Sequence, residues 1–186
     1  MGVGVRPEQM EDLDWWHTDE GAQVSSWNFD ASHLAPQVAA PHSPANTKDV
    51  GEHVGQRIDV AYIGACTGAK LEDLRAAAQV LKGQKISSSV KLMVAPASLR
   101  DQEQAQREGV MQSLLEAGAV LLPNSCGACA GYGASFDEGQ TVISSTARNF
   151  KARMGPASVQ VFLGSPWTVA ASALRGVISD VREVLA

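Results

Sequence analysis

The stretch IDVAYIGACTG, residues 58–68, joins a short apolar strand to a glycine-containing loop that carries a cysteine. The apolar run closes at Gly64, and Cys66 follows two residues later. A helical pattern begins directly afterwards, because apolar residues recur at intervals of three and four and so share one helix face: Leu71, Leu74, Ala78 and Leu81. The order strand, loop, helix predicts the first half of a β-α-β unit.

The same order repeats along the rest of the chain. Further short strands are predicted at residues 90–94, 120–122, 141–143 and 159–163. One helix is predicted from a Ser98 cap to Gly118, with Val110, Leu114 and Leu115 facing inward. The last helix is predicted to start at Ser165-Pro166 and to bury the apolar residues that follow, which are Val169, Ala173, Val177, Val181 and Val184. Strands alternating with helices predict a three-layer α/β/α domain with a mostly parallel sheet.

Residues 1–57 differ in composition from the rest. They hold all four histidines (His17, His33, His42 and His53) and three of the four tryptophans (Trp15, Trp16 and Trp27). Pro36, Pro41 and Pro44 stand too close together for a helix or a central strand. We therefore predict an irregular lead-in over residues 1–57 and an α/β domain over residues 58–186.

Charge and composition exclude some functional classes. The formal net charge is −5, which disfavours a nucleic-acid surface built on overall basicity. The sequence contains neither an apolar run of the roughly 20 residues that span a bilayer nor a secretory h-region at its start. We therefore expect a cytoplasmic, reducing compartment, where three cysteines do not form a disulfide framework.

All three cysteines follow predicted strands. Cys66 comes after the first, and Cys126 and Cys129 form a Cys-x-x-Cys pair in a loop rich in glycine and alanine after the third. In parallel sheets, ligands bind at the carboxyl ends of the strands. Structural zinc and electron-transfer [4Fe–4S] centres normally take four protein ligands. A [4Fe–4S] cluster held by only three thiolates would keep one iron free of protein sulfur, and that iron could act as a Lewis acid on a substrate. The spacing also suits small buried cysteines or a redox pair, and these alternatives stay open.

A basic segment follows the fourth predicted strand. Arg148 and Arg153 lie in residues 144–155, and guanidinium groups match carboxylates in a bidentate geometry. This segment suits either a polycarboxylate ligand or a solvated basic turn.

Ordered motifs extend this pattern along the chain: FDASHLAPQV (29–38), PHSPANT (41–47), the Cys66 loop with LEDLR (71–75), the Cys126/Cys129 loop, and RNF (148–150) with Arg153. Together they resemble the aconitase superfamily, most closely the large subunit of 3-isopropylmalate dehydratase and its homoaconitase relatives. The similarity runs from about Trp27 to the C-terminus.

The resemblance implies that Cys66, Cys126 and Cys129 bind a [4Fe–4S] cluster whose fourth iron holds the substrate. It implies that Arg148 and Arg153 contact that substrate, a di- or tricarboxylate hydroxy acid of the malate type. The reaction it implies is that of a hydro-lyase, which removes water and adds it back, usually in leucine biosynthesis.

Three residues depart from the family pattern. Gly68 and Ala147 stand where the family usually has asparagine, and Ala152 stands where it usually has glycine. Without the two asparagine side chains, fewer amide groups can hydrogen-bond to the cluster or the substrate, which would weaken cluster retention or shift substrate preference. Iron content and turnover of Ala147→Asn would test this hypothesis.

The resemblance also implies that this chain corresponds to the C-terminal, cluster-binding domain alone. The expected partners are the missing N-terminal domains and a swivelling domain, which two-subunit members carry on a small subunit and which supplies the catalytic serine base. No catalytic residue is therefore assigned here. The alternative function is a non-catalytic module, either truncated or sensing iron–sulfur supply.

Overall fold

The computed structural model describes residues 18–132 and 136–185. From Ala35 onward the chain forms one compact unit. Residues 18–34 are described separately, and their backbone forms turns at residues 20–21 and 32–33 without a helix or strand. Trp15, Trp16 and His17 lie outside the described residues. The domain boundary at residue 58 stays a prediction, and the structure has two short strands before it.

A seven-stranded sheet forms the centre of the compact unit. Its strands are β1 (Gln37–Ala39), β2 (Thr47–Asp49), β3 (Val60–Gly64), β4 (Lys91–Ala95), β5 (Val120–Leu121), β6 (Thr141–Ser144) and β7 (Gln160–Leu163). The spatial order is β2-β1-β7-β6-β3-β4-β5. Strands β7, β6, β3, β4 and β5 run parallel, whereas β1 is antiparallel to β2 and β7. The predicted α/β class with a mostly parallel sheet is confirmed.

The described residues form five α-helices, of which the last follows β7: α1 (Ala65–Gly68), α2 (Leu71–Leu81), α3 (Leu99–Arg107), α4 (Val110–Ala117) and α5 (Pro166–Arg175). The predicted caps are confirmed, because the Ser98 hydroxyl accepts a hydrogen bond from the Asp101 amide and the Ser165 hydroxyl accepts one from the Thr168 amide. Short 3-10 helices occupy residues 50–52, 127–130 and 181–183. Within the described residues, none of the helices has the length and apolar character needed to cross a membrane.

Two helix predictions were wrong in their extent. The single helix predicted over residues 98–118 is two helices, because Gly109 adopts φ 74° and redirects the chain between α3 and α4. Leu115, predicted to face inward, is exposed. The last helix ends at Gly176, which has φ 77°. Val177, Val181 and Val184 therefore lie beyond it.

The two faces of the sheet are covered differently. On the helix-covered face, alternate strand residues such as Ala61, Ile63 and Leu92 pack against α2, α4 and α5. On the loop-covered face, the other strand residues, including Val60, Tyr62 and Met93, pack against loop residues such as Phe136 and Met154. Strand β3 is buried at all five positions, as expected for a parallel strand covered on both sides.

Candidate functional site

Three loops leave the same edge of the sheet. They follow β3, β5 and β6, which are parallel members of the sheet, and so all three start at its carboxyl edge. The first loop carries Cys66, the second carries Cys126 and Cys129, and the third carries Arg148 and Arg153. The topology thus brings the loops that carry all five predicted site residues to the edge where parallel sheets bind ligands.

One serine ties the Cys66 loop to the end of β6. The Ser145 hydroxyl accepts a hydrogen bond from the Gly64 amide at 3.1 Å and donates one to the Gly68 carbonyl at 2.7 Å. These two bonds hold both ends of the turn that exposes Cys66. Ala65 adopts φ 64°, a left-handed conformation that costs a residue with a Cβ about 1 kcal/mol. The turn that presents Cys66 is therefore both strained and clamped.

Gly68 packs directly against the same serine. A Cβ atom added at Gly68 would lie 2.0 Å from the Ser145 carbonyl oxygen, which is backbone and cannot swing aside. No side chain fits at residue 68 on this backbone unless the β3 and β6 loops separate.

The second loop places its cysteines on a single turn. Cys126 precedes the 3-10 helix that begins at Gly127, and Cys129 lies within that helix. The thiol of Cys126 is exposed and that of Cys129 is half-buried. A Cβ atom added at Gly131 would lie 2.9 Å from the Arg153 carbonyl oxygen, so this loop packs closely against the third one.

Tyr62 reaches from the sheet to the cysteine turn. Its side chain is fully buried, and its ring lies over Gly64, since an added Cβ there would meet a ring carbon at 2.1 Å. The ring stacks edge-on against Phe136, with centroids 6.2 Å apart. Burial, followed by the nearby Cys129 thiol, raises the pKa of Tyr62 to about 12. Among the described residues, the hydroxyl has no hydrogen-bond partner, although the Cys129 backbone amide lies beside it.

The two arginines differ in exposure. Arg148 is exposed, whereas Arg153 is half-buried and its Nε atom is buried without a hydrogen-bond partner in the described part of the chain. None of the ion pairs formed by residues 18–132 and 136–185 includes either guanidinium. Both positive charges are therefore available to an anionic ligand at this edge.

Asn149 holds the arginine loop in place, and the sequence analysis did not identify it. It is fully buried, and its amide donates hydrogen bonds to the carbonyl oxygens of Ala40 at 2.8 Å and Val161 at 3.0 Å. The neighbouring Phe150 forms a β-bridge with His42. The segment around His42 thus runs beside the arginine loop. The available signal for Asn149 was its position as a polar residue between Arg148 and Arg153.

The donor chemistry discriminates between kinds of metal centre. Across the described ranges, no three His, Cys, Asp or Glu side chains converge closely enough to hold one metal ion, which disfavours a mononuclear zinc site. In a cubane cluster each thiolate binds a different iron, so the sulfurs stand further apart. The described residues include three free cysteines on two loops at the same sheet edge. Three thiolates are the kind of ligand that an iron–sulfur cluster takes.

Comparison with curated proteins finds relatives over nearly the whole chain. The 3-isopropylmalate dehydratase large subunit of Picrophilus torridus is 43% identical over 175 residues, covering 93% of this chain and 42% of the relative. That of Mycolicibacterium smegmatis is 40% identical, covering 91% and 41%. The homoaconitase large subunit of Thermus thermophilus is 39% identical, covering 92% and 41%.

The chain spans about two fifths of the length of these relatives. The part that matches includes the sheet and all three loops described above. A family comparison matches residues 50–176, which is more than half of the chain, to the aconitase family (aconitate hydratase). The chain belongs to the aconitase family.

Proposed function

We propose that this chain is the cluster-bearing part of a hydro-lyase of the 3-isopropylmalate dehydratase type, acting in leucine biosynthesis. The observation that carries the proposal is the meeting of three loops at one sheet edge, with three free thiols and two arginines outside the described ion pairs. Membership of the aconitase family and relatives named as dehydratase and homoaconitase large subunits support it.

The proposal gives each residue a role. Cys66, Cys126 and Cys129 would hold a [4Fe–4S] cluster, which when bound supplies a Lewis-acidic iron for the substrate hydroxyl. Arg148 and Arg153 bind carboxylate groups of a malate-type hydroxy acid by paired hydrogen bonds. Asn149 fixes the loop that carries both arginines through its hydrogen bonds to the carbonyl oxygens of Ala40 and Val161. These residues bind and orient the substrate.

The proton-transfer groups are assigned to other parts of the assembly. Dehydration breaks a C–O bond and a C–H bond on adjacent carbons, so one base takes the carbon proton and the hydroxyl leaves as water. We assign that base to the domains that the longer relatives carry in addition, or to a small subunit. A small-subunit partner is inferred because the relatives are named as large subunits.

Cluster binding is tested first, by anaerobic incubation of the full chain with ferrous iron and sulfide. We expect about one cubane per chain and protection of all three thiols from alkylation. Replacing Cys66, Cys126 or Cys129 by serine is expected to remove most bound iron. Ser125→Ala, next to Cys126, is the matched control and should bind iron normally. A wild-type chain that binds no cluster contradicts the proposal.

Activity is tested by complementation. The loaded chain is mixed with the Picrophilus torridus large subunit from which the matched region has been deleted, together with that enzyme's small subunit. We expect dehydration of 3-isopropylmalate, with loss of at least about 100-fold in kcat/KM for Arg153→Lys, because lysine cannot form the bidentate pair. Absence of turnover, when the intact relative is active under the same conditions, contradicts the enzymatic part of the proposal.

A further inference from the structure

Tyr62 is a buried polar group that the proposed reaction does not use. Its position on β3 is on the loop-covered face, and its neighbours Ala61 and Ile63 point into the opposite, helix-covered core. The ring runs along the strand toward the Cys66 turn, over Gly64, where any residue larger than glycine would collide with it. Glycine at residue 64 therefore leaves the space that the Tyr62 ring occupies, and the phenol reaches the carboxyl edge of the sheet.

The hydroxyl ends beside the cysteine turn. Cys129 packs against the cluster of buried residues that contains Tyr62, and the buried hydroxyl has no hydrogen-bond partner among the described residues. A buried hydroxyl that donates no hydrogen bond costs about 1–3 kcal/mol, so an arrangement of this kind points to a missing acceptor.

We propose that the Tyr62 hydroxyl donates a hydrogen bond to the Cys129 sulfur when the cluster is bound, which makes Tyr62 a positioning residue for the cluster. The inference rests on the proposed function. Cys129 is half-buried and lies in the turn directly beside the phenol, whereas Cys126 is exposed. A phenol carries one O–H donor. Hydrogen bonds to cluster sulfurs stabilise the reduced state and help to retain the metal.

The chain offers a matched control, because it contains only two tyrosines. Tyr132 lies three residues after Cys129 and is 71% exposed. Tyr62→Phe and Tyr132→Phe therefore remove the same atom, one buried beside the sulfur and one open to solvent. Both variants and the wild type are loaded anaerobically, and two quantities are measured: the rate of cluster loss to an iron chelator and the reduction potential.

We expect Tyr62→Phe to load the same amount of iron, to lose it about tenfold faster and to have a more negative potential. Tyr132→Phe should match the wild type in both measurements. Equal rates and potentials for Tyr62→Phe and wild type overturn this inference and leave the proposed function standing. A wild-type chain that takes up no cluster overturns both.

A second measurement covers the case in which Tyr62→Phe does not fold. In the Tyr132→Phe background Tyr62 is the sole tyrosine, so growth on 3-fluorotyrosine labels this position alone. The fluorinated phenol is more acidic and is the better donor. We expect a less negative cluster potential and slower cluster loss than in the unlabelled protein. No change in either quantity contradicts the hydrogen bond to sulfur.

Discussion

The two faces of the sheet show two ways of covering the same strands. The helix-covered face is closed by α2, α4 and α5, whose apolar residues recur at helical spacing. The loop-covered face is closed by the chain between β5 and β7. Among the described residues, four buried side-chain atoms lack a hydrogen-bond partner: one on Tyr62 of this face, two on Asn149 and Arg153 in the loop after β6, and one on His53, which packs against Phe162 of the helix-covered face. The helix-covered face is thus built mainly from apolar packing, whereas the loop-covered face and the loop after β6 contain most of the unpartnered buried polar atoms.

This contrast predicts that the largest stability effects arise on the helix-covered face. Leu114 of α4 is fully buried, whereas the adjacent Leu115 is 48% exposed. Leu114→Ala is expected to lower the free energy of unfolding by about 3 kcal/mol, because it removes buried methyl groups and leaves a cavity. Urea denaturation monitored by tryptophan fluorescence measures the change.

Leu115→Ala is the control for that experiment and should change the free energy of unfolding by less than about 0.5 kcal/mol. Similar losses for the two variants would show that α4 does not present Leu114 to the core. The comparison between the faces would then lose its basis, since the helical layer would not be the main source of stability.

The contact between the Cys66 loop and the β6 loop gives the next largest effect. Gly68→Ala is expected to destabilise the protein by about 2 kcal/mol, because its Cβ would lie 2.0 Å from the Ser145 carbonyl oxygen. It should also lower the iron retained after reconstitution, since separating the loops moves Cys66. Gly51→Ala is the control, because an added Cβ there meets nothing within 4 Å. A Gly68→Ala variant as stable as Gly51→Ala would contradict the close contact.

The helix-covered face was the more predictable of the two. The strands and α2 follow from local periodicity, and the caps at Ser98 and Ser165 follow from residue type. Leu115 was predicted to face inward with Leu114, but one residue turns a helix by about 100°, so Leu115 lies on a different face of α4. The extent of the helix was wrong for a separate reason, because the left-handed Gly109 redirects the chain.

The loop-covered face depends on residues far apart in sequence. Ser145 clamps a turn that lies 77 to 81 residues earlier, so no local pattern reveals it. In the sequence, Tyr62 is indistinguishable from the other strand residues that pack in the core. Only the alternation of side chains along the strand separates it from Ile63 and places it on the loop-covered face. The sequence identified the cysteines and arginines as candidates because of their chemistry, whereas the groups that position them required the structure.

A smaller effect, of opposite sign, is expected in the arginine loop. Ala152 adopts φ 61°, a conformation that glycine takes without strain. Ala152→Gly should raise the free energy of unfolding by about 0.5 kcal/mol, because relief of about 1 kcal/mol of strain exceeds the added entropy of the unfolded chain. Ala147→Gly, in the same loop but without a positive φ, should be destabilising. Thermal unfolding of both variants measures the two changes in stability. A loss of stability in Ala152→Gly would contradict the proposed backbone strain at Ala152.

The smallest effect concerns an ion pair on the surface of the helical layer, where Arg75 of α2 meets Glu108 between α3 and α4. Hydrogen bonds from Arg75 and then Gln104 lower the pKa of Glu108 to about 2. Because the carboxyl is more acidic in the folded protein, its contribution is fully present above the unfolded pKa of about 4.5 and is lost as pH falls toward 2.

Stability measured between pH 4.5 and pH 2 should therefore fall less steeply in Glu108→Gln than in the wild type, with Glu103→Gln as the exposed control on α3. The difference should be small and should shrink in high salt, because this pair is accessible to solvent. Parallel acid-denaturation curves for Glu108→Gln and wild type would contradict the pairing. They would also indicate that the outer side of the helical layer contributes to stability through its apolar contacts alone.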